Sequence, residues 1–264
     1  MRAAIFFALV LFSCSGDNHN RLAGEFISRE EGEYPFRPPP SKLAVREPYP
    51  WEVGKVGKHP KITKEFFRCK GSLLNPVKSE PGNPSLADCG GVTKHSLPLI
   101  RNKEGVYPIL IDLLNWIQTK TQKRVVITSG HRCPEHNAYV DPSPRNQTSK
   151  HLIGAEVSFY VQGLENSPET LVKWIQNYYL HDPTTRTDKK YTEFTRYEKS
   201  DTDVSTPPWM NQEIVIKLFK KKEGRDFDNR HPYPYLSIQV RYDREAKERV
   251  SYTWDKAYNN YWRY

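Results

Sequence analysis

Residues 124–159 read RVVITSGHRCPEHNAYVDPSPRNQTSKHLIGAEVSF, and they contain the most chemically informative side chains of the chain. The β-branched run at 125–128 is typical of a half-buried strand, and it stops at Ser129-Gly130. A second extended run covers 155–161. Between the two runs lie the chemically versatile side chains of His131, Arg132, Cys133, His136 and His151. Strand ends and loops are where a rigid sheet presents reactive groups, so the stretch predicts a functional site.

The composition predicts one folded domain with a polar tail. The chain has 264 residues, of which 37 % are hydrophobic, enough to form a core. Its net charge of +9 suits anionic envelope polymers, lipid headgroups or nucleic acid. No basic helix, zinc knuckle or RNA-binding motif accompanies the charge, so we expect no nucleic-acid partner.

The first residues predict export. Arg2 precedes an apolar run at 3–11 that is too short to span a bilayer. Leu11-Phe12-Ser13-Cys14 then resembles a bacterial lipobox. The resemblance implies a signal peptide at 1–13 and a lipid on Cys14, with ordinary cleavage and secretion as the alternative. No later run is apolar for long enough to cross a membrane.

The rest of the chain divides by composition. Residues 14–60 are polar and then proline-rich, which favours an extended tether. Residues 61–102 are rich in turn formers and predict an irregular cover over the domain at 103–264. His95 in this cover is more typical of a surface residue than of a metal ligand.

Three cysteines remain after Cys14. In an exported chain, Cys69 and Cys89 would clip the cover segment with a disulfide, although pairings through Cys133 stay open. Zinc at the cysteines is disfavoured because no CxxC spacing occurs.

Periodicity predicts an α+β fold, with a small antiparallel or mixed sheet and two main helices. The helices are expected at 107–119 and 167–180, the strands of the later part of the chain at 213–219, 235–242 and 249–254, and a long loop at 181–208.

The motifs SGHRCPEHN and SKHLIGAEVSF resemble the zinc D-alanyl-D-alanine carboxypeptidases and D,D-dipeptidases of cell-wall metabolism, whose motifs read SGYRSPxHN and SxHxxGxAxD. The resemblance covers about the central third of the chain and implies a hedgehog-like zinc D,D-peptidase fold. It also implies that Arg132 holds a substrate carboxylate or developing oxyanion, that Ser149 lines the peptide site, and that His151 is the first zinc ligand. The alternative for Arg132 is a structural ion pair.

The sequence departs from the family pattern at its other metal ligands. Ser158 replaces the ligand aspartate, Ser237 stands where a histidine is expected, and Pro234 occupies the position of the general base. A catalytic zinc needs three protein ligands and an open position. Glu156, two residues before Ser158 on the same strand face, and His231 are candidate co-ligands for a rebuilt site. His131, His136 and His95 are further candidates.

These features predict an exported, lipid-anchored protein on the periplasmic face of a bacterial cell envelope. Its domain would engage peptidoglycan stem peptides as a degraded metallopeptidase-like pseudoenzyme. The alternatives are an active zinc carboxypeptidase or endopeptidase with a rebuilt ligand set, and a structural envelope lipoprotein without a peptide site.

Overall fold

A computed structural model describes residues 54–79, 85–198 and 201–264, all within one compact unit that spans Pro48–Tyr264. The expected signal peptide, the lipidation site Cys14 and most of the tether lie outside the described residues. In the described part of the chain, no helix is both long and apolar enough to cross a bilayer.

The described residues form five α-helices and thirteen strands. The α-helices are α1 (Pro108–Thr121), α2 (Pro134–Val140), α3 (Pro168–His181), α4 (Lys189–Thr192) and α5 (Trp254–Tyr258). The strands are β1 (Lys55–Val56), β2 (His59–Pro60), β3 (His95–Ile100), β4 (Lys103–Glu104), β5 (Val125–Ser129), β6 (Glu156–Val161), β7 (Thr195–Arg196), β8 (Trp209–Met210), β9 (Ile214–Phe219), β10 (Tyr235–Val240), β11 (Tyr242–Asp243), β12 (Glu248–Arg249) and β13 (Tyr261–Arg263). Within the described residues, 3₁₀ helices cover Lys64–Phe67, Gly91–Thr93, Pro144–Thr148 and Lys150–Ile153.

The main sheet has six strands in the order β5-β6-β10-β9-β8-β7, and every neighbouring pair is antiparallel. The predicted α+β class is therefore confirmed. Its two long helices, α1 and α3, also match the sequence pattern. Each begins with a proline in its first turn, where the missing amide hydrogen costs no helical hydrogen bond.

The sheet separates the core from the outer face. Val157 and Phe159 of β6 are fully buried in the core, and Leu236 and Ile238 of β10 join them. Helix α1 packs on β5 and β10, α3 packs on β9, and the two helices pack on each other, where Trp116 Nε1 donates to the Trp174 carbonyl oxygen at 3.0 Å. Because strand side chains alternate between faces, the residues between these apolar positions point to the other side of the sheet.

The segment expected as an irregular cover contributes to the folded unit. Ile62, Phe67 and Leu97 belong to the main core. Strand β3 pairs with β4 and with the C-terminal strand β13. Residues 61–102 are thus held to the domain by core packing and by a second, three-stranded sheet.

Two local predictions were wrong. The third late strand, expected at 249–254, is restricted to β12, and Trp254 instead begins α5. The Thr253 side chain caps that helix by accepting the Lys256 amide at 3.2 Å, and this hydrogen bond competes with an extended chain. The loop expected at 181–208 contains α4 and β7.

Candidate functional site

A groove of about 660 Å³ lies on the outer face of the main sheet. The three residues that the cell-wall peptidase resemblance assigned to the site, Arg132, Ser149 and His151, all line it. Its floor comes from β6, β9 and β10, and its rims come from the 3₁₀ helices after α2 and from the loop after β9. The polar members of its lining are Arg132, Asp141, Ser143, Asn146, Thr148, Ser149, Lys150, His151, Glu156, Ser158, Asp203, Lys217, Arg225, Asp226, Asn229, Tyr235 and Gln239.

Local backbone structure fixes His151. Ser149 caps the short 3₁₀ helix by accepting the His151 amide at 3.3 Å. The helix ends at Gly154, which has a φ of 67°, a conformation that glycine adopts without strain. His151 Nδ1 lies 2.6 Å from the Gly130 carbonyl oxygen and donates to it.

The second ring nitrogen of His151 faces the groove floor. Burial lowers the pKa of His151, which favours a neutral ring. With its proton on Nδ1, the ring presents the lone pair of Nε2. That atom lies 3.5 Å from Ser158 Oγ and 3.7 Å from Glu156 Oε1.

The strand register brings the substituted metal-ligand positions together. Ser158 of β6 pairs directly with Ser237 of β10, and Glu156 pairs with Gln239. Glu156 Oε1 accepts from Ser237 Oγ at 2.6 Å and from Gln239 Nε2 at 3.0 Å. A carboxylate therefore lies beside His151 and Ser237, two of the three positions at which the family pattern places metal ligands.

Glu156 is buried but ionised. Burial opposes its ionisation, but the positive charge that His151 acquires on protonation, Lys217 and the hydrogen bonds from Ser237 and Gln239 together outweigh burial. The pKa of Glu156 is consequently lowered to about 2.

Arg132 reaches the groove wall with its charge already paired. Its Nε lies 2.6 Å from Ser129 Oγ and 3.0 Å from Asp228 Oδ2, and Nη2 lies 2.8 Å from Asp226 Oδ2. The side chain is 3 % exposed. The structure thus shows the ion pair that was the alternative expectation for Arg132.

The ion pairs continue behind the groove. Asp228 Oδ1 lies 3.2 Å from His136 Nε2, and His136 Nδ1 lies 2.7 Å from Asp88 Oδ1. Burial lowers the pKa of His136, but the two carboxylates outweigh burial and raise it overall. Acidic and basic side chains therefore alternate in a row that runs from Asp88 through His136, Asp228 and Arg132 to Asp226.

His231 lies apart from the groove. Its ring packs 4.9 Å from the Tyr160 ring and 5.6 Å from the Tyr235 ring, measured between centroids. It is not among the lining residues of the groove. The structure does not bring it to His151 and Glu156 as a co-ligand.

A second cluster contains His95 and the cysteines. The thiols of Cys69, Cys89 and Cys133 and the His95 ring place one ligand atom each within 4.8 Å of all the others, so this group could hold a metal ion. The predicted disulfide is absent from the structure, where Cys69 Sγ lies 3.7 Å from Cys89 Sγ and all three cysteines are free. Asp88, Cys89 and His136 form an overlapping group.

The acidic partners of Arg132 were not predictable from the sequence. Asp226 and Asp228 lie in the turn-rich segment between β9 and β10, nearly a hundred residues from Arg132. No local spacing relates them to Arg132, because the contact is set by how distant segments pack.

Comparison with protein-family models, with curated proteins and with solved structures returned no match to this chain.

Proposed function

We propose that this domain is a degraded D,D-peptidase-like module that engages peptidoglycan stem peptides in the groove without hydrolysing them. One observation carries the proposal. Arg132, Ser149 and His151 line a single groove, while the Glu156 carboxylate is hydrogen-bonded at Ser237 beside His151.

The groove suits a short zwitterionic ligand. Its volume of about 660 Å³ is within the usual range for small-ligand sites. Within its lining, Arg132 pairs with Asp226 and Lys217 pairs with Asp203, and the other charged residues are Lys150, Arg225, Asp141 and Glu156. Mixed charges match the amines and carboxylates of stem peptides and disfavour a polyanion such as nucleic acid.

The potential metal ligands around His151 are too few to support hydrolysis. Activation of water by zinc requires three protein ligands and an open position. Among the described residues, His151 belongs to no group of three or more potential metal ligands. Ser158 and Ser237 offer hydroxyls, and Pro234 offers no base. The alternative of an active zinc peptidase, rebuilt with Glu156 and His231, lacks support because His231 packs among tyrosines.

Export and lipidation belong to the same proposal. A lipid on Cys14 would hold the domain at the periplasmic face of the envelope, where stem peptides are found. Incorporation of labelled palmitate into the full chain, and its loss in Cys14→Ala, would test this part separately.

Calorimetric titration of the mature protein with a stem pentapeptide ending in D-Ala-D-Ala tests binding. Thr148 is exposed on the groove rim, so Thr148→Trp should fill the groove and weaken binding roughly tenfold or more. Thr187→Trp, at an exposed position that does not line the groove, should bind normally.

Mass spectrometry of the same mixtures tests hydrolysis. The proposal expects intact peptide after prolonged incubation. Release of D-alanine that is lost in His151→Ala would instead favour the active peptidase, and absence of binding by the unmodified protein would favour the structural lipoprotein.

A further inference from the structure

We propose that Cys69, Cys89, His95 and Cys133 form a structural zinc site, separate from the groove. This inference does not depend on the proposed function. It reverses the sequence-based expectation, which disfavoured zinc because the cysteines lack a CxxC spacing.

Two of the six separations among the four ligand atoms match tetrahedral coordination. Zinc bonds of about 2.3 Å to sulfur and 2.0–2.1 Å to nitrogen imply separations of about 3.8 Å between two sulfurs and about 3.6 Å between sulfur and nitrogen. In the structure, Cys69 Sγ lies 3.7 Å from Cys89 Sγ, and Cys89 Sγ lies 3.7 Å from His95 Nε2. All four ligand atoms lie within 4.8 Å of one another.

The histidine is oriented as a ligand. His95 Nδ1 lies 3.0 Å from the Ser96 carbonyl oxygen and donates to it, so the lone pair of Nε2 faces the cysteines. Metal-bound histidines commonly donate their other ring hydrogen in this way.

Backbone amides support two of the sulfurs. The Gly91 amide donates to Cys89 Sγ at 3.3 Å, and the His136 amide donates to Cys133 Sγ at 3.4 Å. Gly71 leaves room for the cluster, since a Cβ at that position would lie 2.0 Å from Cys89 Sγ. Amide donors stabilise the thiolate form, which is the form that binds metal.

The ligands come from four separate places in the fold. Cys69 follows the first 3₁₀ helix, Cys89 precedes the second, His95 opens β3, and Cys133 precedes α2. Tyr261 of β13 packs against the cluster, and its ring centroid lies 5.6 Å from that of His95. Four protein ligands leave no position for water, so the metal would be structural and would tie residues 61–102 to the domain.

Coordination balances without an oxidant. One Zn²⁺ displaces three thiol protons and leaves a site with a net charge of −1. A disulfide between Cys69 and Cys89 would leave Cys133 and the His95 lone pair without a role.

Metal analysis of the purified full chain tests the site. We expect about one zinc per chain, together with thiols that resist alkylation until a strong chelator is added. Cys89 is the least buried of the three cysteines, so Cys89→Ser should perturb packing least while lowering the zinc content roughly tenfold or more. His151→Ala, in the groove, should keep the full zinc content.

Cobalt substitution keeps the test independent of folding defects. Cobalt(II) in the unmodified protein should show sulfur-to-metal charge-transfer bands and the strong visible bands of a tetrahedral site. His95→Cys should retain the metal and intensify the charge-transfer bands. Any of three results would overturn the proposal. The first is that the thiols of Cys69, Cys89 and Cys133 are all reactive and no metal is bound. The second is a Cys69–Cys89 disulfide in peptide maps, and the third is zinc that is lost in His151→Ala but kept in Cys89→Ser.

Discussion

Glu156 shows how single residues decide the chemistry of the groove. Its carboxylate accepts hydrogen bonds from Ser237 and Gln239 beside the His151 ring. Glu156, two residues before the position at which the ligand aspartate was expected, therefore supplies the negative charge beside His151. The charge is stabilised by hydrogen-bond donors and by Lys217, which outweigh the effect of burial on the pKa.

The low pKa of Glu156 predicts an acid-sensitive contribution to stability. Its folded-state pKa of about 2 lies below the ordinary value of 4.5, so the stabilisation is fully present above pH 4.5 and is lost as the pH falls toward 2. The contribution is on the order of 3 kcal/mol. Urea unfolding across this range should show the unmodified protein losing its advantage over Glu156→Gln. Glu198→Gln, at an exposed position outside the helices, should keep a constant difference from the unmodified protein.

Arg132 is expected to stabilise the fold through its two aspartates. Arg132→Met would leave Asp226 without its cation and Asp228 with His136 as its remaining cationic partner, and loss of one partner from a buried ion pair costs about 3–5 kcal/mol. Lys189→Met removes an exposed pair with Glu193 and should change the free energy of unfolding by less than about 1 kcal/mol. Chemical denaturation of the two variants makes the comparison. Similar small losses in both would contradict a structural role for Arg132.

At the scale of elements, the end of β5 is packed too closely for any side chain at Gly130. A Cβ there would lie 2.5 Å from the Phe67 carbonyl oxygen and 2.6 Å from its Cα. Both are backbone atoms, so a rotamer change cannot relieve the clash. The same turn supplies the Gly130 carbonyl that orients His151.

Gly130→Ala should therefore destabilise the protein by about 1–3 kcal/mol or more and should disturb the groove. Gly105→Ala is the matched control, because a Cβ at Gly105 would approach only the Lys103 carbonyl oxygen, at 4.0 Å. Thermal unfolding compares the two variants. Equal melting temperatures would show that β5 and the Phe67 segment are less closely packed than the structure indicates.

Elements with a clear apolar period were predictable from sequence. Helix α1 matches its stripe of Leu110, Leu113, Leu114 and Ile117, and β5, β6, β9 and β10 match their apolar alternation. The end of the chain was not predictable in this way. There the β-branched and aromatic run at 249–254 favours a strand, but the Thr253 cap starts a helix instead.

At the scale of the whole molecule, the sequence located part of the site. Arg132, Ser149 and His151 belong to motifs that lie close together in the chain, and the structure brings all three to one groove. Two other features depend on distant segments: Asp226 and Asp228 beside Arg132, and the convergence of Cys69 with Cys133. Local spacing contains no information on such contacts, because they are set by how the segments pack.

We expect that two substitutions in the groove can create a metal site beside His151. The pairing of Ser158 with Ser237 places both beside His151, so Ser158→Asp combined with Ser237→His should add about one further zinc equivalent per chain. The gain should disappear when His151→Ala is added. Circular dichroism checks that each variant is folded. A folded double variant that binds no additional metal would show that the three positions do not converge as a ligand set.

We propose that the chain binds its metal among the cysteines and that the groove binds none. Anomalous diffraction at the zinc absorption edge, from crystals of the mature protein grown with zinc, locates the metal directly. We expect one peak enclosed by Cys69, Cys89, His95 and Cys133, and none beside His151. A peak at His151 and Glu156, or no peak among the cysteines, would show that this assignment is wrong.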